Sequence, residues 1–263
     1  MNLIKSLIPK YFKSNETLKN IFFRTLSSKY RVFNINKLNK SLSISDSFLW
    51  RTDQNFKTIF RFSDLLRFFY KLEKNNIEII FFSKNYELIK TLNIKTLSLN
   101  NELEIDKKLL GIEDYGIFQV YHKITQDMPP NKKIILLDKS YVGFSKEKNF
   151  YSFLHGNVQT AGKKLTGEKT FLSFVDRSAR KNKIYQIQNN FGEFDKTELI
   201  FTNPSNKRIV FFVNNNKYYL DSFNSKKVEL QKAEDIVRIK SNCNFLRPII
   251  FNYKRNFFDV YHS

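Results

Sequence analysis

The chain of 263 residues is 41% hydrophobic and 16% aromatic, enough apolar side chain to bury one large core or two of ordinary size, which excludes a disordered chain. A single cysteine, Cys243, excludes an internal disulfide and a cysteine-based zinc site. The formal charge of +20 admits polyanion binding, but 34 of the 45 cations are lysine and travel with abundant Asn, Ile and Phe, residues that AT-rich coding favours, so the total alone assigns no partner.

Residues 1–40 read as a basic amphipathic segment. Pro9 disfavours helix at Ile8, and Ser14 or Asn15 can cap a helix with Leu18, Ile21, Phe22 and Leu26 on one face, flanked by Lys10, Lys13, Lys19 and Arg24. Such a helix packs on the body of the protein or, through residues 10–26, touches an anionic membrane surface. No run approaches the roughly 18 apolar residues of a membrane span, and the first residues carry no small-residue cleavage site, so the expected location is cytoplasmic, with membrane contact peripheral at most.

From residue 41 the signals change to short runs rich in Ile, Val, Phe, Tyr and Thr between Asn, Lys, Asp, Ser and Gly turns. IEIIFF (77–82), LNIKTLSL (92–99), FQVYHKI (118–124), KIILL (133–137), NFYSFLH (149–155), KIYQIQ (183–188), ELIFT (198–202), RIVFFV (208–213), KYYLDSF (217–223) and RPIIFNY (247–253) all have strand length. SDLLRFFYKLEKN (63–75) competes as a helix, with Leu65, Leu66, Phe69 and Leu72 on one stripe.

Three blocks recur in order. TIFRFSD (58–64) matches TELIFTN (197–203), IEIIFFSKNYELI (77–89) matches KRIVFFVNNNKYYL (207–220), and FQVYHK (118–123) matches FDVYHS (258–263). A separation well over 100 residues indicates two copies of a domain rather than a solenoid. The expectation is an all-β fold of two tandem, internally repeated antiparallel β-sandwiches, over residues 41–125 and 126–263, with a short N-terminal helical segment. His122 and His262 then fall at equivalent places, and His155 has no counterpart.

No familiar catalytic motif is present. GNVQTAGKK (156–164) resembles a phosphate loop, but five residues separate Gly156 from Gly162 and Lys164 stands where Ser or Thr is required. Trp50, beside Arg51 and near Asp46, is a candidate face for a sugar ring, with His155 and Asn157 at a turn as further candidate ligand-binding residues. His122, His155 and His262, the chain's three histidines, are candidate ligands of a divalent metal, should the strand ends converge.

The first expectation is therefore a non-enzymatic binding or assembly protein without a cofactor, taking a carbohydrate or a protein partner. A homo-oligomer is left open. The alternatives are a metal-dependent enzyme on the three histidines and a non-specific nucleic-acid-binding protein.

Overall fold

The computed structural model describes residues 41–127, 133–137, 140–146, 152–156, 159–166, 171–172, 178–188, 193–203, 208–230, 236–243, 246–255 and 257–262. The expected N-terminal helix lies outside them, as does Asn157. The chain is predominantly β, and no described helix is long and apolar enough to cross a membrane.

In chain order the strands begin with β1 (Leu42–Asp46), β2 (Phe48–Arg51), β3 (Phe56–Ser63), β4 (Asn75–Ser83), β5 (Leu88–Ile94), β6 (Asn100–Ile105) and β7 (Tyr115–Ile124). They continue with β8 (Ile135–Leu137), β9 (Tyr141–Lys146), β10 (Ser152–His155), β11 (Gln159–Lys164), β12 (Phe171–Leu172) and β13 (Ser178–Gln188). The last are β14 (Lys196–Thr202), β15 (Ile209–Val213), β16 (Asn216–Leu220), β17 (Ser225–Leu230), β18 (Ile236–Cys243), β19 (Ile249–Lys254) and β20 (Phe257–His262). Two short helices, α1 (Leu65–Tyr70) and α2 (Lys107–Leu110), start at Asp64 and Asp106, whose carboxylates accept from the backbone N–H groups of Arg67 and Leu109. The 63–75 stretch is thus helical in its middle, and it ends where Lys71 turns left-handed at φ 58°.

Four sheets are wholly antiparallel. Sheet I has the order β2-β7-β4-β5, sheet II β10-β9-β3-β6, sheet III β13-β18-β15-β16 and sheet IV β17-β14-β19-β20. Sheet V, β12-β11-β1-β8, contains the parallel β1–β8 pair. The phosphate-loop look-alike falls largely in β11, a strand antiparallel to β1.

Sheets I and II bury a shared core in which Phe48, Phe60, Phe81 and Phe118 pack ring on ring. Sheets III and IV bury a second, with Phe201 and Phe211 at 4.6 Å between centroids. Leu66, Leu72, Ile124, Ile134, Leu136 and Leu165 form a smaller cluster beside α1 and sheet V. Period-two alternation explains which residue goes inward. On β14, Thr197, Leu199 and Phe201 face the second core, whereas Glu198 and Ile200 face away from it yet are equally buried, because the first half covers that side.

The order of pairing recurs. Taking β2–β7, β9 and β10 as strands 1 to 8 of a first half, and β13–β20 as strands 1 to 8 of a second, each half has one sheet of order 1-6-3-4 and one of order 8-7-2-5. The registers agree in detail. Thr58 lies opposite Ile105 and Phe144, as Thr197 lies opposite Leu230 and Asn252. The first two matching blocks therefore occupy corresponding strands, β3 with β14 and β4 with β15.

The third match does not. β7 is an internal strand between β2 and β4, whereas β20 is an edge strand beside β19, so FQVYHK and FDVYHS occupy different places. The strand corresponding to β20 is β10. His155 lies opposite Tyr141, which pairs with Arg61, and His262 lies opposite Ile249, which pairs with Ile200, the position corresponding to Arg61. His155 is thus the counterpart of His262, and β9 and β10, although beyond residue 125, complete the sheet around β3. The V-Y-H likeness misleads because aromatic and β-branched residues suit any half-buried strand.

Gly116 shows how tightly the first half is closed. It pairs with Trp50, and a Cβ there would lie 2.2 Å from the Phe82 carbonyl oxygen and 2.9 Å from the Ser83 carbonyl carbon, both backbone atoms. Gly116→Ala is expected to destabilise the protein by about 1–3 kcal/mol, read as a lowered urea midpoint. An unchanged midpoint would contradict this packing.

Candidate functional site

Asp46, Trp50 and Arg51 are all fully buried, at 0% exposure. Trp50 donates its indole N–H to the Phe82 carbonyl at 2.9 Å and lies within the first core, so it offers no open ring face to a sugar. Arg51 has a different task. Its guanidinium lies 4.2 Å from the Phe56 ring centroid and 4.5 Å from that of Phe251, one ring from each half.

The guanidinium is matched on all sides. Nε and one terminal nitrogen donate to the two Asp53 oxygens at 2.8 and 2.9 Å, and the other terminal nitrogen donates to Glu198 at 2.7 Å and to the Tyr253 hydroxyl at 3.0 Å. Tyr253 in turn donates to the same Glu198 oxygen at 2.6 Å. The second Glu198 oxygen accepts from Lys196 at 2.7 Å, while Lys227 approaches Asp53 at 3.3 Å and Glu198 at 3.6 Å.

Local geometry puts these groups in place. Directly after β2, Thr52 leaves the extended conformation at ψ −2° and sets Asp53 beside Arg51, and Gln54 and Asn55, at left-handed φ values of 52° and 63°, then turn the chain into β3. Glu198 reaches it because β14 turns that side chain away from its own core.

Burial lowers the affinity of Arg51 for its proton, but the Asp53 hydrogen bond and the electrostatic pull of Tyr253, Asp53 and Glu198 outweigh it, so the guanidinium holds its proton more tightly than usual. For Glu198, burial pushes the carboxyl up, yet the Arg51 charge and hydrogen bonds from Lys196 and Tyr253 bring it down to about 2. The Tyr253 hydroxyl is pushed up, chiefly by burial.

The structure brings two of the three histidines together. His155 and His262 have ring centroids 4.5 Å apart where β10 meets β20, and Ser152 Oγ donates to the Val260 carbonyl at 2.8 Å beside them. His155 Nδ1 lies 2.9 Å from the Gly156 carbonyl oxygen, and His262 Nε2 has no hydrogen-bond partner among the described residues. His122 is buried opposite Ile77 in sheet I, with its backbone N–H donating to Ser43 Oγ at 2.9 Å. Among the described residues no three His, Cys, Asp or Glu side chains gather closely enough to hold a metal. A two-imidazole contact at His155 and His262 is what remains of that expectation.

Four outer sheet faces can be compared. On sheet I, Glu78 is 7% exposed and pairs with Lys123, at 2.5 Å, and with Lys163 from β11. On sheet II the charges pair among themselves, Lys57 with Glu104 and Arg61 with Glu102, both at 2.8 Å. Sheet IV turns Glu198, Ile200, Ile249, Phe251 and Tyr253 onto the first half.

Sheet III is different. Its outer face carries one row across all four strands, Ile184, Lys240, Phe212 and Lys217, with Gln186 paired to Arg238 and Val210 paired to Tyr219 alongside. Lys240 lies over the Phe212 ring at 5.4 Å, and Arg208 and Lys217 lie over Tyr219 at 4.7 and 5.1 Å. Arg208 pairs with Asp221 at 3.2 Å, whereas Lys217, Arg238 and Lys240 have no ion pair among the described residues. A hydrogen bond from Lys217, then its charge, lowers the Tyr219 hydroxyl below its ordinary range. The sequence contains this face as the alternation in VRIK and KYYL, but only the pairing shows that those side chains share a surface.

Two measurements test the geometry of the contact between halves. A double-mutant cycle on Arg51→Met and Glu198→Gln is expected to give a coupling of about 2 kcal/mol or more, against under about 1 kcal/mol for the half-exposed pair Arg61–Glu102. Equal couplings would contradict the buried network. Burial, followed by the His155 charge, lowers His262 to about 4, so the folded state resists a proton that the unfolded state accepts near 6.5. Stability from this group therefore falls as pH drops from about 6.5 through about 4. The loss from Glu198 begins lower, near its unfolded value of 4.5, and runs to about 2. His262→Gln should flatten the upper window and leave the lower one, as read by urea midpoints across pH.

Neither a protein-family model nor a curated protein matches the chain, so its function is read from geometry alone.

Proposed function

We propose that the protein is a non-enzymatic binding protein built from two tandem β-sandwiches, β2–β10 and β13–β20, held as one rigid body and presenting the outer face of sheet III to a partner. The recurring order 1-6-3-4 and 8-7-2-5, with matched registers, supports a duplicated two-sheet unit. Strand connections that alternate between the two sheets are those of Greek-key sandwiches.

One observation carries the binding reading. Of the four corresponding outer faces, three are closed or internally neutralised, while sheet III leaves Lys217, Arg238 and Lys240 without counterions among the described residues, beside Tyr219, which is 45% exposed. Unneutralised like charges on one face repel one another, and an anionic partner relieves that repulsion. The carbohydrate reading loses its anchor in Trp50, which is buried. A metal-dependent reaction has two imidazoles in contact rather than three.

The test compares the wild type with Lys217→Glu/Arg238→Glu/Lys240→Glu, all surface changes, against immobilised polynucleotides, sulfated glycans and acidic peptides. Retention of at least one class by the wild type, lost in a triple variant with unchanged far-UV circular dichroism, is the expected result. Equal retention by both proteins, or none by either, would overturn the reading.

A further inference from the structure

The outer face of sheet III combines the two features that hold a nucleic-acid single strand: cations set along a backbone track, and aromatic rings on which bases stack. The cations are Arg208, Lys217, Arg238 and Lys240, and the rings are Phe212 and Tyr219. From this arrangement we infer that the face binds single-stranded nucleic acid, a conclusion that rests on the open face assigned above and adds the class of its ligand.

The spacing suits such a track. Arg238 and Lys240 stand two residues apart on β18, about 6.6 Å along one face, and four strands about 4.8 Å apart give a platform about 14 Å wide. Ile184 and Lys217 mark its two sides, with Lys240 and Phe212 between them. Arg208, Lys217 and Lys240 lie over the Tyr219 and Phe212 rings, so a base that stacks there displaces them from the ring face, and their long side chains leave them within reach of its phosphate.

Two observations separate this ligand from others. An acidic glycan satisfies the cations but makes less use of Phe212 and Tyr219 than a base does, since every base has a π-face. A duplex keeps its base faces stacked inside and shows only their edges in its grooves, so it offers nothing to stack on Phe212 and Tyr219. The binding is expected to be indifferent to sequence, because stacking and phosphate contact read no base edge.

The experiment is fluorescence anisotropy of the full-length chain with a labelled oligothymidylate of about 20 nucleotides, at several salt concentrations, with the matching duplex and a sulfated polysaccharide as competitors. Four cations predict a log–log salt slope of about −2 to −3. Arg238→Glu/Lys240→Glu should flatten it by about 1.4, and Tyr219→Ala should weaken binding about tenfold.

Lys95→Glu/Lys108→Glu removes equal charge from exposed positions of the first half and should have a much smaller effect. An equal effect of that control, or no effect of Tyr219→Ala together with equal competition by duplex, would overturn the inference. So would a face that takes the sulfated polysaccharide but not the single strand, which leaves the binding reading standing. A face variant that binds every ligand as the wild type does would overturn both.

Discussion

The buried guanidinium of Arg51 sets the terms for the rest of the molecule. A charge taken out of water carries a desolvation penalty of several kcal/mol unless its surroundings replace the lost hydration. Asp53 supplies part of that replacement from the same half, but Glu198, Tyr253 and the ring of Phe251 come from the other. The two halves therefore have one low-energy arrangement, the one that completes this shell. Phe56 and Phe144, each edge-on to Phe251, add apolar contact that a charge network alone would lack.

That arrangement determines what each face can do. Corresponding register positions differ in kind: Ile59, Gly143 and Ser145 on sheet II stand where Glu198, Phe251 and Tyr253 stand on sheet IV. The first set leaves a face whose charges pair with neighbouring glutamates in water; the second makes an interface. Sheet I is closed by a strand outside the recurring pattern, β11, whose Lys163 reaches Glu78. Sheet III pairs Arg208 with Asp221 but leaves Lys217, Arg238 and Lys240 without counterions among the described residues.

Much of the fold was legible in the sequence, for a physical reason. Period-two burial marks the strands, and the inward sets Thr58, Phe60, Phe62 and Thr197, Leu199, Phe201 preserve a common pattern across corresponding strands. The pairing of His122 with His262 failed because sequence likeness in a strand reports half-burial, not position in a sheet. β10 and β20 share little beyond the histidine itself, and only the ladders through Tyr141 and Ile249 reveal their correspondence. Arg51 stood out as unusual beside the only tryptophan, yet its partner Glu198 lies 147 residues away, and nothing local announces that contact. The face on sheet III was hidden for the same reason: its cations come from β16, β18 and the residue before β15, whose adjacency is a property of topology.

The direct test of the account follows the unfolding of the two halves separately. Trp50, the single tryptophan, lies in the first core and reports on that half, while far-UV circular dichroism reports on both. If the Arg51 network couples the halves, the two signals coincide along a urea titration of the wild type and separate in Arg51→Met. Wild-type signals that separate, or variant signals that still coincide at the wild-type midpoint, would contradict it.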